Sequence, residues 1–218
     1  MEIPTVFFIA RLIVLASGLL LGASFVLGDA SSPAITGRMR KFSHPLLGGA
    51  FLLVAVLIVG EPTTFSWWQY QAWAADPRSQ LLLPPTAPIS YFLSYVFLHF
   101  WVWRILGGII ALAFFLLADR FIIRPSQGFR MNRREAALIA FGMMLSGWPY
   151  LLVYFSAVLL LYVFILVGMR MVPRFRKTGE ARFPVALPAT LALLIIPWAH
   201  DIIVALGLTV LRVTVLSV

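Results

Sequence analysis

Five apolar stretches dominate this chain, at residues 6–28, 45–60, 89–117, 136–169 and 184–218. A helix that crosses the hydrocarbon core of a bilayer needs roughly 17–25 such residues. A chain built from these runs is limited to an all-α, polytopic transmembrane bundle, because spanning backbone must satisfy its polar groups internally. Composition agrees: 61% of residues are hydrophobic and 11% charged, with a mean hydropathy of +0.97. Soluble domains carry about a quarter charged residues. The absence of cysteine removes disulfides, thiolate metal sites and cysteine nucleophiles.

The last two stretches exceed one crossing and are punctuated, at Ser146-Gly147-Trp148-Pro149 and at Pro197-Trp198-Ala199-His200-Asp201. Gly and Pro mark breaks of this kind. Splitting both predicts about seven helices, one plus six: an extra N-terminal helix with a basic loop over residues 1–41, and a six-helix core over 42–218. Arg11 lies inside the first apolar run with no basic segment before it, so that run reads as a retained helix rather than a signal peptide.

Basic residues orient the bundle. Arg38, Arg40 and Lys41 fall in one connection, Arg120, Arg124, Arg130, Arg133 and Arg134 in a second, and Arg170, Arg174, Arg176, Lys177 and Arg182 in a third. Lys and Arg accumulate on cytoplasmic loops. All three connections are therefore expected inside, with the N-terminus outside. The net charge of +9 then calls for anionic lipid headgroups at the basic loops and no nucleic-acid partner. Residues 61–88, with Trp67, Trp68, Tyr70 and Trp73, read as an external loop carrying a short interfacial piece. The expected location is the bacterial inner membrane.

Polar groups at membrane depth are candidates for function because they are costly there. They are Arg11, His99, Arg104, Ser156, His200 and Asp201, with Asp29 and Asp119 at internal helix ends. In the expected topology His99, Ser156 and His200 all fall in the outer half of the bilayer. A serine and a histidine form the smallest set for acyl transfer, the imidazole taking the hydroxyl proton. No cofactor or metal is expected, since the histidines are spread over three regions and offer no axial pair for haem.

Three segments carry a resemblance. Tyr95-Val96-Phe97-Leu98-His99-Phe100, Phe155-Ser156-Ala157, and Trp198-Ala199-His200 followed by Gly207 resemble, in order and spacing, the second, serine-bearing and last core helices of rhomboid intramembrane serine proteases. The resemblance covers residues 42–218. It implies Ser156 as nucleophile and His200 as base, with His99 lining the same cavity. The family's Gly-x-Ser-Gly reads Tyr154-Phe155-Ser156-Ala157 here. Its oxyanion-holding histidine and asparagine are replaced by Arg104 and Gly108, which leaves Arg104 as the oxyanion or substrate candidate. Losing such a donor costs about 10²–10³ in rate. The segment from Glu135 through Phe183-Pro184-Val185-Ala186-Leu187 also resembles the C-terminal half of prepilin peptidases, without their aspartate. The resulting expectation is a non-catalytic scaffold, assembly or client-binding subunit, with other membrane proteins as its partners. The alternatives are an active rhomboid-like protease, a degenerate prepilin-peptidase-like protein and a small transporter component.

Overall fold

A computed structural model describes residues 3–30, 33–125, 131–171 and 185–207. All regular structure among them is helical. We number the helices α1 (Ile3–Ala30), α2 (Pro33–Ala75), α3 (Ile89–Ile123), α4 (Arg133–Ser146), α5 (Tyr150–Met171), α6 (Ala186–Leu193) and α7 (Ala199–Ala205). Four of them, α1, α2, α3 and α5, contain segments long and apolar enough to cross a membrane, and α6 with the segment after it adds a bent fifth. The chain is a transmembrane helical bundle.

α4 is the axis around which the others assemble. Its 14 residues extend about 21 Å, and nearly every side chain is buried. It packs against α1, α2, α3, α5 and α6, so a stretch too short to span alone is shielded by protein instead of lipid. Asn132 and Glu135 form a reciprocal capping box at its start, satisfying two backbone donors of the first turn. The other Glu135 oxygen accepts from the backbone N–H of Val185 at 2.9 Å, which ties the entry to α6 to the same point. At its far end Gly147 adopts φ +68°, a conformation that reverses the chain cheaply only at glycine. α5 returns antiparallel alongside. A Cβ on Gly142 would sit 2.2 Å from the Tyr154 ring, so glycine there sets how closely the two helices approach.

The break expected at Ser146-Gly147-Trp148-Pro149 is thus a hairpin. The one at Pro197 differs: a single 3-10 turn, Ile196–Trp198, with a bend of 48° and no reversal. A proline at the start of a helical turn redirects the axis without folding it back.

α2 also departs from the sequence expectation. It runs through Gly60 and on to Ala75, so residues 61–75 are helix and not loop. Arg38, Arg40 and Lys41 fall on its first turns, whereas the connection from Arg174 to Arg182 lies outside the described residues. Beyond α2, Asp76 accepts hydrogen bonds from the Ser79 hydroxyl and backbone N–H, which hold its carboxyl below the usual carboxylate range.

The two ends of the bundle differ chemically. At one, Tyr70 and Trp73 from α2 pack on Phe92 of α3, and Trp67 and Trp68 are exposed. At the other, Asp119 binds Arg124 at 2.9 Å and Arg133 at 2.7 Å, and the Arg134 guanidinium lies over the Phe25 ring.

Candidate functional site: an intramembrane ion triad and its cavity

Glu61 occupies the middle of the apolar segment Leu47–Ala75 of α2. One carboxylate oxygen accepts from Arg11 of α1, and the other accepts from Arg104 of α3 at 2.9 Å. Glu61 lies 14 residues before the end of α2, about 21 Å, and six residues before Trp67, where the aromatic end begins, about 9 Å. The Glu61 and Arg104 side chains retain 11% and 21% of their accessibility, and Arg11 retains 44%. Two guanidiniums thus share one carboxylate, leaving one formal positive charge in surroundings where charge is expensive.

Local structure explains how these groups are accommodated. Pro62, directly after Glu61, is almost completely buried and removes the N–H that would have bonded the Ile58 carbonyl. The hydroxyls of Thr63, Thr64 and Ser66 donate to the carbonyls of Val59, Gly60 and Pro62, so the polar run hides its donors inside the helix. On α3 a π-turn spans Phe97–Trp101, and its added residue rotates the Arg104 end of the helix relative to the His99 end. Gly107 lies against Gly147, where an added Cβ would come within 3.0 Å of backbone, while its neighbour Gly108 has open space. This contact brings Arg104 to the C-terminal end of α4, whose carbonyl dipoles favour a cation.

A cavity of about 390 Å³ adjoins the triad. Arg11, Ser146, Tyr150 and His200 supply its polar wall, and Phe8, Leu12, Leu15, Leu145, Ile196 and Pro197 its apolar wall. Tyr150 and His200 are joined by a hydrogen bond of 3.3 Å between the hydroxyl and Nδ1. The Ser146 hydroxyl donates to the Gly142 carbonyl, so its remaining capacity is to accept.

Of the residues singled out in the sequence, Arg11 and Arg104 are brought together through Glu61. His200 faces the cavity and bonds Tyr150, not Ser156. Ser156 is exposed on α5, six residues beyond Tyr150, which amounts to about 9 Å along the axis and roughly a third of a turn out of phase. His99 stacks on Tyr95 with ring centroids 3.8 Å apart, and its Nδ1 lies 2.8 Å from the Tyr95 carbonyl oxygen. Asp119 is engaged by two arginines at the basic end. Asp201 is on α7 but does not line the cavity. The side chain of Asp29 lies outside the described residues. Among the described residues no group of three or more His, Asp or Glu side chains is placed to hold a metal ion.

Glu61 is the member that sequence reasoning missed. Its signal was present: an acidic residue at the end of an apolar run, in a chain with two arginines at membrane depth that need a counter-charge. No known protein family, curated protein or solved structure matches the chain.

Proposed function

We propose that this protein is a non-catalytic client-binding subunit of a bacterial inner membrane, and that the Arg11–Glu61–Arg104 triad with its cavity is where a client engages. The carrying observation is the mixed cavity at Arg11: a partly open guanidinium within an apolar wall, at a depth where a polar group needs a reason to be retained. The hydrogen-bond pattern supports binding over acyl transfer. His200, which lines the cavity, is hydrogen-bonded to the Tyr150 phenol and not to a serine hydroxyl. The orientation that accompanies this reading has the aromatic end outside and the basic end in the cytoplasm.

A fluorophosphonate probe applied to the full chain in membranes separates binding from hydrolysis. The binding reading expects no covalent adduct on any serine. An adduct on Ser156 that disappears in Ser156→Ala and in His200→Ala would replace it with the protease reading. A photo-crosslinking amino acid at Leu12, on the cavity wall, is expected to capture a discrete membrane species in native membranes. Crosslinks only to bulk phospholipid, at the same yield as from an outward-facing control at Leu160, would refute client binding.

A further inference from the structure

We propose that the cavity beside Arg11 binds an anionic amphiphile: an acidic head, carboxylate or phosphate, joined to a single apolar chain. The proposal rests on the client-binding reading and names the chemical class of the client.

Charge selects the head. Glu61 engages one terminal nitrogen of Arg11, and a guanidinium has five N–H donors. Arg104 is compensated twice, by Glu61 and by the end of α4 beside Gly147. Arg11 shares only Glu61 among the described residues, and it is the member that lines the cavity. The surplus charge of the triad is therefore presented to this space. Among the described residues no carboxylate lines the cavity, so its wall does not repel an incoming anion. Tyr150 and His200 stand on the same wall, and a phenol or imidazole N–H can donate to a second oxygen of the head. A planar guanidinium suits both carboxylate and phosphate oxygens.

The apolar wall decides against a free inorganic anion. Phe8, Leu12 and Leu15 lie on one helix, and Leu145, Ile196 and Pro197 face them. A small hydrated ion gains nothing from that surface, while an acyl chain buries against it with the gain of any apolar contact. The volume of about 390 Å³ lies within the range of small-molecule sites. One chain with its head fits this size better than a diacyl lipid, which would have to leave a chain outside.

The test uses the full chain in nanodiscs of zwitterionic phosphatidylcholine, with native mass spectrometry or radiolabelled ligand. The probes are palmitate and lysophosphatidate, with monopalmitoylglycerol as the uncharged equivalent and acetate and inorganic phosphate as heads without chains. Saturable, one-to-one binding of palmitate or lysophosphatidate is expected, and whichever binds more tightly identifies the source of the head. Monopalmitoylglycerol should bind at least about tenfold more weakly, the loss of one charge-assisted contact. Arg11→Gln should produce a similar loss and Arg11→Lys a smaller one. Ile196→Trp fills the apolar wall without touching the triad, and should abolish binding in a protein that still folds. Equal affinity for charged and uncharged chains would overturn the proposal, as would binding of phosphate or acetate as tight as that of the amphiphiles. No saturable binding of any probe would leave a water-filled space and overturn it too. If crosslinking from Leu12 still captures a discrete membrane protein in that last case, the client-binding reading survives without the amphiphile.

Discussion

Arg104 and Glu61, 43 residues apart in the chain, meet through a hydrogen bond of 2.9 Å. This pair joins α3 to α2, and Arg11 extends the link to α1. Each partner is intelligible only through the other two. Arg104 alone would be an unpaired charge at membrane depth, and Glu61 alone a carboxylate beside a buried proline.

Loss of the shared carboxylate should therefore cost more than loss of either cation. Glu61→Ala leaves both guanidiniums without their carboxylate; breaking a buried pair costs roughly 3–5 kcal/mol, and the partial exposure of Arg11 makes that range the ceiling. Arg104→Ala should fall below this, and Arg11→Ala, at the most accessible member, lower again. Thermal unfolding in detergent micelles gives the order. A larger loss for Arg11→Ala than for Glu61→Ala would remove Glu61 from the hub.

Gly142→Ala tests the α4–α5 hairpin. The new methyl would meet the Tyr154 ring, which is buried at 1% accessibility and directs its hydroxyl to the Ala189 carbonyl at 3.3 Å. Overpacking of this type costs about 1–3 kcal/mol. Gly108→Ala, on open space, should be neutral or slightly stabilising, since alanine is the better helix former. Equal effects of the two substitutions would argue against the packing described.

Glu135→Ala should destabilise by roughly 2–4 kcal/mol, combining a lost cap with an unsatisfied buried N–H at Val185. Glu135→Gln retains an acceptor and should recover part of the loss. Unfolding titrations of both variants measure this, and a full loss with Gln would mean that the charge, and not the hydrogen bonds, is what the site requires.

Reporter fusions at Gly128 and Gly179 should both lie in the cytoplasm. α4 and α5 are antiparallel, so the connections before the one and after the other emerge on the same side, and both are arginine-rich. Opposite locations would be incompatible with the hairpin at Gly147.

Much of this architecture is legible in the residues. The length of the apolar runs identifies the membrane class, and Gly147 with Pro149 marks the hairpin because only a break there allows two helices. Arg11 and Arg104 stand out because charge is rare at their depth. Glu61 does not, since Pro62 and the polar run Thr63, Thr64 and Ser66 suggest that the helix has ended. Hydropathy cannot register hydroxyls that bond back to their own helix, nor a carboxylate whose partners lie 50 and 43 residues away. The burial of α4 is hidden for a related reason. It begins with Arg133, Arg134 and Glu135 and resembles a loop-edge segment until the helices around it are in place. The phase of Ser156 relative to His200 depends on which residues face inward on α5, and Leu-rich sequence such as Leu159-Leu160-Leu161 gives no periodic signal to fix it.

The contact between Glu61 and Arg104 joins α2 to α3 and anchors the triad that adjoins the cavity, and a double-mutant cycle measures its energetic coupling. The variants are Glu61→Gln, Arg104→Gln and the double substitution, unfolded reversibly by detergent titration. The double substitution should cost less than the sum of the singles, with a coupling energy on the order of 1 kcal/mol or more, as for residues in one ion-pair network. Additivity within about 0.5 kcal/mol would mean that the two side chains do not interact, and the triad would have to be abandoned.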